Sequence, residues 1–312
     1  MRLVPLADVD LDALHAAQHR TEVADGNPFP VLRGEFDELL EEPHFDPAAD
    51  GVVAMDGDRI VGWARVFHEP SGERLERAFL KGGTVPEHRG EGIGTVLLDW
   101  QVARGAELLG RHDHGLPRYL RTFEYTNHRG PLDLFEAHGF TAVRWFHELL
   151  RGLDPIEAPT PVAIVPWDPD RAEAARLVHN AAFADHWGST PVDAASWRAW
   201  VSLRSSRLDL SWMALEGDTL VGYALNAHYP DDEATTGRRD GWIGSLGVLA
   251  EHRRRGIASG LIARSIDAFA DAGLTHAILG VDSSNETGAH GLYRRLGFEP
   301  LHEAVTHELA VG

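Results

Sequence analysis

The sequence predicts a mixed α/β protein that contains two tandem copies of one fold. In residues 57–64 a Gly-Asp turn joins two apolar runs, the pattern of a β-hairpin, and residues 217–224 repeat this pattern. A Gly-rich turn in residues 87–94 is repeated in residues 251–258. The repeated features lie 158 to 164 residues apart, measured from position 139 to 297 and from 87 to 251. So constant a spacing indicates a duplication.

Each copy is predicted to form a mixed, mostly antiparallel central sheet flanked by helices. The expected order is a strand, one or two helices, the hairpin, a further strand, the Gly-rich turn opening an apolar helix, another strand, a last helix and a terminal strand. In the second copy the later elements are expected at 242–248, 253–258, 259–272, 276–281 and 289–296. The predicted domains are 1–151 and 162–312, joined by a linker at 152–161 that contains three prolines.

The composition excludes several classes of protein. Of the 312 residues 43% are hydrophobic and 25% charged, and no run approaches the ~18 apolar residues of a membrane helix. The first residues do not resemble a signal peptide, so a cytoplasmic location is expected. The absence of cysteine excludes disulfides, thiolate metal sites and cysteine nucleophiles. A net charge of -19 disfavours nucleic-acid binding and suits a cationic partner such as an amine.

The Gly-rich turn of the second copy predicts an anion-binding site. Arg253, Arg254 and Arg255 precede Gly256, and an apolar helix follows. Backbone N–H groups of a small-residue turn and the positive end of a helix dipole both attract a diphosphate, and the arginines add positive charge. The glycine spacing does not fit a Rossmann dinucleotide site. No Lys-Ser or Lys-Thr pair follows either turn, which excludes a P-loop.

The two turns also carry a family resemblance. They read R-x-x-G-x-G at 89–94 and R-x-x-G-x-A at 253–258, and the second is completed downstream by Asn285, Leu292-Tyr293 and Gly297-Phe298. This pattern resembles the pyrophosphate-binding signature of the GCN5-related N-acetyltransferase (GNAT) superfamily. The tandem arrangement is similar to that of the mycothiol synthase-like two-domain acetyltransferases. The resemblance covers nearly the whole chain twice.

The resemblance implies that acetyl-CoA is the acyl donor and lies between two neighbouring central strands. Backbone groups of one strand would hold the pantetheine arm and polarise the thioester carbonyl. The implied cofactor-binding residues of the second copy are Leu246, Gly247, Val248, Arg253, Arg254, Arg255, Gly256, Ile257, Ala258, Ser259 and Asn285. Those of the first copy are Val85, Arg89, Gly90, Gly92, Gly94 and Asn127.

The resemblance further implies that Tyr293 is the general acid that protonates the departing CoA thiolate. Tyr293 lies eight residues after Asn285, and the position eight residues after Asn127 is Phe135. Phenylalanine has no proton to give. We therefore expect the second copy to be catalytic and the first to be catalytically degenerate, whether or not it binds CoA.

The sequence does not identify the general base. Relatives often carry a glutamate on the strand before the turn, but residues 241–246 contain none. Asp240 and His186 are the two candidates, acting directly or through water. His302, Glu303 and His307 lack the helical HExxH spacing, so no metal site is predicted.

The expected function is acetyl-CoA-dependent N-acetylation of a primary amine on a small molecule. Acetylation of a protein or peptide and a catalytically silent acyl-CoA-binding sensor are the alternatives, and the presence of Tyr293 argues against the sensor. No nucleic-acid or membrane partner is expected. The expected state is a monomer with an internal pseudo-dimer or a homodimer.

Overall fold

The structure is a computed structural model that describes residues 1–111, 115–284 and 289–312. The chain packs into two compact units, one formed by residues 1–144 with 304–312 and the other by residues 145–303. Each unit has a mostly antiparallel sheet flanked by helices, which confirms the predicted mixed α/β class. Within the described ranges no helix is both long enough and apolar enough to span a membrane.

The elements follow the same order in both repeats, except that the second has an additional short helix, α7, before its fourth strand. The first repeat contains β1 (Arg2–Pro5), α1 (Leu11–Ala24), α2 (Arg33–Leu40), β2 (Gly51–Asp56), β3 (Arg59–Phe67), β4 (Glu76–Thr84), α3 (Ile93–Gly110), β5 (Arg118–Tyr125), α4 (Arg129–Ala137) and β6 (Thr141–Gly152). The second contains β7 (Ala163–Pro166), α5 (Ala172–Ala182), α6 (Ala194–Val201), β8 (Trp212–Glu216), β9 (Thr219–His228), α7 (Glu233–Thr236), β10 (Asp240–Val248), α8 (Ile257–Asp271), β11 (His276–Asp282), α9 (Ala289–Arg295) and β12 (Glu299–Val311).

Each sheet is completed by the terminal strand of the other repeat. The first unit has the order β1-β2-β3-β4-β5-β12, with β12 antiparallel to β5 from Ala304 to Val311. The second unit has the order β6-β11-β10-β9-β8-β7, with β6 antiparallel to β11 from Phe146 to Gly152. The limits 1–151 and 162–312 stay a prediction about the sequence repeat, because the packing units divide after Arg144 and before Ala304.

Helix α8 shows how the apolar pattern of the sequence becomes a core. Its residues Leu261, Ile262, Ile266 and Phe269 are each fully buried, in clusters that include apolar side chains of the sheet. Burying one such side chain stabilises the fold by ~1.5–3 kcal/mol relative to leaving it exposed. The apolar face therefore fixes the helix on the sheet and places its N-terminus at the end of β10.

In both units two parallel central strands separate part-way along their length. Strands β4 and β5 pair only from Glu76 to Phe79 on β4, and β10 and β11 pair only from Asp240 to Trp242 on β10. The rest of β4 and of β10 has no parallel partner and borders a gap. The two gaps differ, because the β9–β10 register shifts by one residue at Gly244. The β3–β4 register is regular throughout.

Candidate active site

A cavity of about 600 Å³ fills the gap between β10 and β11 in the second unit. Its walls come from the second half of both strands, the turn before α8, the end of α5 with the loop after it, and α9. Ser245 and Gly247 lie on the β10 side, Gly280 and Asp282 on the β11 side. A half-enclosed cavity of this size, with mixed apolar and polar walls, suits a small-molecule ligand.

The edge of β10 presents backbone N–H groups to this cavity. The N–H of Leu249 donates to the carbonyl of Val221 on β9 at 3.0 Å. Because backbone groups alternate sides along a strand, the N–H groups of Leu246 and Val248 point away from β9 and toward the gap. Both residues line the cavity, as does Gly247. The strand therefore offers two donors to the carbonyl groups of an extended ligand.

Gly247 is required by the residue packed behind it. A Cβ atom at this position would lie 2.7 Å from the Tyr223 ring and 3.3 Å from Ala182. The first of these distances is below any tolerated carbon contact, so only glycine leaves room for the buried tyrosine. Tyr223 in turn lies opposite Gly247 in the β9–β10 register.

The turn before α8 has the backbone of an anion-binding turn. Gly256 has a φ of +82°, and a Cβ there would lie 2.9 Å from the carbonyl oxygen of Pro159. Both facts exclude other residues. Gly256, Ile257, Ala258 and Ser259 line the cavity at the N-terminus of the 15-residue helix α8. Its free N–H groups and dipole favour a negative group at this point.

The three arginines of the turn have three different environments. Arg253 donates to the carbonyls of Val248 (3.2 Å) and Ala182 (2.7 Å), so it braces the turn against β10 and α5. Arg255 pairs with Glu216 at 2.6 Å and is not among the residues that line the cavity. Arg254 lines the cavity, is exposed, and bonds to no other residue in the part of the chain that the structure describes. Of the three, Arg254 is the cation available to a ligand.

Tyr293 lies in the wall of the same cavity. Its side chain is 9% exposed, packs edge-on against Phe298, and has no hydrogen-bond partner for its hydroxyl among the described residues. Burial raises the pKa of Tyr293 to about 12, so the phenol keeps its proton at neutral pH. The predicted cofactor residue Asn285 lies outside the described residues.

The structure places the two candidate bases differently. His186 lines the cavity in the loop after α5, and its ring packs on Phe183 with centroids 5.1 Å apart. Asp240 is not brought to the cavity. It is buried at the start of β10, where its carboxylate binds the guanidinium of Arg238 at 2.9 Å. Five residues of extended strand, ~16 Å, separate it from Ser245, so we do not retain Asp240 as the base.

The cavity wall contains a buried chain of polar groups that the sequence did not predict. The Tyr223 hydroxyl lies 2.6 Å from Nδ1 of His179 and 2.6 Å from Oγ of Ser245. His179 and Ser245 both line the cavity. Burial, and secondarily the charge of His186, lowers the pKa of His179 to about 4, and burial raises the pKa of Tyr223. The one available sequence signal was Tyr223 itself, which replaces Trp63 in the repeated hairpin.

The first unit contains a second cavity, of about 510 Å³, in the equivalent gap. Five of its predicted cofactor residues line it: Arg89, Gly90, Gly92, Gly94 and Asn127. Val85 does not, because it is buried and its N–H donates to Val61 on β3; Thr84 faces the gap instead. The Arg89 guanidinium pairs with the Asp25 carboxylate at 2.9 Å.

Charged groups cross the gap of the first unit. Lys81 on β4 lies 3.4 Å from the Glu124 carboxylate on β5, and His128 contacts the same carboxylate at 2.7 Å. Burial opposes ionisation of Glu124, but the hydrogen bond to His128 and the Lys81 charge outweigh it and lower its pKa. The hydrogen bond to Glu124 raises the pKa of His128. Phe135 lines this cavity and packs on Phe140 as Tyr293 packs on Phe298.

Comparison with known proteins assigns both repeats to one family. Residues 172–298 match the model of the "Acetyltransferase (GNAT) family", and residues 47–142 match that of the "Acetyltransferase (GNAT) domain". These ranges contain both Gly-rich turns and both cavities' central strands.

Relatives and solved structures agree with this assignment over the whole chain. A mycothiol acetyltransferase of Kocuria rhizophila is 28% identical over 310 residues, covering 95% of each chain. A GCN5-related N-acetyltransferase of Sphaerobacter thermophilus has a similar structure, with a TM-score of 0.75, 24% identity and coverage of 99% of this chain and 95% of that one. A tandem GNAT protein of the clavulanic acid biosynthesis pathway gives a TM-score of 0.69 at 20% identity, covering 100% and 98%. The chain is therefore a tandem-domain acetyltransferase of the GNAT superfamily.

Proposed function

We propose that this acetyltransferase moves an acetyl group from acetyl-CoA to a primary amine of a small molecule, and that the reaction takes place in the second unit. The observation that carries the proposal is the convergence of three features on one cavity. These are the N–H groups of Leu246 and Val248 that face the gap, the turn at Gly256 with Arg254, which has no partner among the described residues, and the protonated phenol of Tyr293.

The residues present fit an acyl-CoA. The turn and helix α8 would hold the diphosphate, with Arg254 as counter-charge. The β10 edge would bind the amide groups of the pantetheine arm as an added strand does, and one of its N–H groups would polarise the thioester carbonyl. The gap between β10 and β11 gives the arm a path into the cavity.

The chemistry follows from this placement. The neutral amine nitrogen attacks the thioester carbon, the carbon–sulfur bond breaks, and the sulfur takes a proton from the hydroxyl of Tyr293. Burial raises the pKa of Tyr293, so at neutral pH the phenol carries the proton that the departing thiolate takes up. The names of the relatives favour an acceptor related to mycothiol, and the net charge of -19 favours a cationic acceptor.

A titration with acetyl-CoA tests the proposal. Calorimetry is carried out on the wild type, on Gly256→Asp and on the matched first-repeat variant Gly92→Asp, and thiol release is followed with glucosamine, putrescine, lysine methyl ester and hydroxylamine. An aspartate at Gly256 adds a negative charge and a strained φ at the turn. We expect Gly256→Asp to abolish thiol release and Gly92→Asp to retain it. No binding to the wild type would refute acetyl-CoA as the donor.

A further inference from the structure

The amine must lose a proton during the reaction, and none of the β10 residues that line the cavity is a carboxylate. The neutral residue Ser245 lies at the point where β10 borders the gap, directly after the register shift at Gly244. Ser245 is 6% exposed, and its Oγ is held by the Tyr223 hydroxyl at 2.6 Å. From Ser245 a polar path runs through the buried Tyr223 hydroxyl to His179, which also lines the cavity.

The path ends on the imidazole of His179, which is neutral before the reaction because burial lowers its pKa. His179 on α5 is 7% exposed, and its Nδ1 lies 2.6 Å from the Tyr223 hydroxyl. The titratable groups that face it are Tyr223 from β9 and His186 from the following loop. Helix α6 contributes two tryptophans rather than charges, Trp197 and Trp200. No carboxylate among the described residues holds the ring in its charged form.

Three aromatic rings contact the imidazole of His179. Phe183, Trp197 and Trp200 lie with centroids 4.6, 5.3 and 5.3 Å from the His179 ring. Aromatic faces stabilise a nearby cation by roughly 0.5–2 kcal/mol each when the contact excludes water. Burial disfavours the imidazolium of His179, and the aromatic rings offset part of that cost.

We propose that Ser245, Tyr223 and His179 form a proton relay that deprotonates the attacking amine, with Ser245 as the catalytic residue and Tyr223 and His179 acting through it. The proposal rests on the acyl transfer proposed above. In this proposal the general base is this relay and not His186, the candidate from the sequence. The two hydrogen bonds of 2.6 Å connect the three residues without a gap.

The proton count closes for this route. As the amine nitrogen forms its bond to the carbonyl carbon, its proton passes to Oγ of Ser245, the serine proton passes to the Tyr223 oxygen, and the tyrosine proton passes to Nδ1 of His179. Ser245 and Tyr223 end neutral and His179 ends as the imidazolium. Tyr293 gives a separate proton to the sulfur, and both His179 and Tyr293 return to their resting states by exchange with solvent.

Three substitutions interrupt the relay at three points: Ser245→Ala, Tyr223→Phe and His179→Asn. Asparagine keeps an acceptor near the Nδ1 position but takes no proton. Acetyl-CoA binding by calorimetry and kcat for the amine panel are measured for each. We expect unchanged binding, a fall in kcat of roughly 10²–10⁴-fold, and no further fall in the Tyr223→Phe/His179→Asn double variant, because the residues act as one unit.

A pH profile separates proton transfer from a structural role. With the relay interrupted, hydroxide has to remove the proton, so the ratio of the variants' kcat to the wild-type kcat should rise about tenfold per unit from about pH 7 to about pH 9. The ionisation of the free amine affects all of these proteins alike and cancels in this ratio. The loss should also be smaller with hydroxylamine than with putrescine, because a less basic amine gives up its proton more easily. The matched control is His15→Asn, a histidine on α1 that stacks on Phe36 and lines neither cavity. Its profile should follow the wild type.

The outcomes separate the two proposals. If the wild type acetylates an amine while the three variants bind acetyl-CoA and keep kcat within about threefold, the relay is refuted and acyl transfer stands. If His186→Asn shows the alkaline rescue and His179→Asn does not, the base is His186. If the wild type binds no acetyl-CoA, the acyl transfer and the relay fall together. Should His179→Asn not fold, Tyr223→Phe and Ser245→Ala decide the question alone.

Discussion

The two gaps, one in each repeat, keep the same anion turn and differ in what fills the space beside it. In the second unit the β10 wall is neutral, with Ser245 and Gly247, and a polar path leads inward to His179. In the first unit Lys81 occupies the position of Ser245, and its charge meets Glu124 across the gap. Trp63 stands in place of Tyr223. If the proposed function holds, the turn marks where an acyl-CoA would bind, and we expect the strand wall beside it to decide which repeat is catalytic.

The largest expected effect tests the other difference between the repeats, the tyrosine on the last helix. Tyr293→Phe should lower kcat by roughly 10²–10⁴-fold with acetyl-CoA binding unchanged, because the leaving thiolate loses its proton donor. The converse variant, Phe135→Tyr, restores the hydroxyl in the first repeat but faces Glu124 and Lys81 rather than a serine. It should leave turnover unchanged in a Tyr293→Phe background. Thiol release measures both.

Restored turnover in the Phe135→Tyr/Tyr293→Phe variant would contradict the expectation that the first repeat is inactive because of its strand wall. It would mean that the charged wall of the first gap does not prevent catalysis. The absence of a tyrosine would then be the whole difference between the repeats.

The repeat and its fold could be predicted because the signals are local. Each hairpin and Gly-rich turn sits within about eight residues, and glycines such as Gly256 need their positive φ for local reasons. The polar path could not be predicted, because its two hydrogen bonds join residues 44 and 22 positions apart on three different elements. Which strands the repeats exchange could not be predicted for a related reason. Strands β6 and β12 carry the same His-Glu-Leu pattern, so alternation alone fits either neighbour.

The pH dependence of stability should have opposite signs at the two sites. The pKa of His179 falls from 6.5 to about 4 on folding, so between these values the unfolded chain binds the extra proton and acid favours unfolding. The stabilisation lost as pH falls through this window is at most roughly 3 kcal/mol. The pKa of His128 is raised above 6.5, so its contribution is complete below that value and is lost as pH rises through the folded pKa.

Urea unfolding of the wild type, His179→Asn and His128→Asn across the acid and neutral range measures these signs. As pH falls, the free energy of unfolding of the wild type should decrease relative to that of His179→Asn. As pH rises, the free energy of unfolding of the wild type should decrease relative to that of His128→Asn. If both differences moved in one direction, the two histidines would not have the opposite environments described above.

The smallest expected effect is on stability and concerns two equivalent glycines, Gly247 beside Tyr223 and Gly83 beside Trp63. A Cβ at Gly247 would lie 2.7 Å from the Tyr223 ring, whereas one at Gly83 would lie 3.0 Å from the Thr21 methyl group and 3.3 Å from Nε1 of Trp63. Gly247→Ala should therefore destabilise the protein by about 1–3 kcal/mol, and Gly83→Ala by less. Because the displaced ring is Tyr223, Gly247→Ala should also lower kcat, whereas Gly83→Ala should lower stability alone. The two variants could instead lose the same stability and keep the wild-type kcat. That result would show that Tyr223 can move without disturbing catalysis.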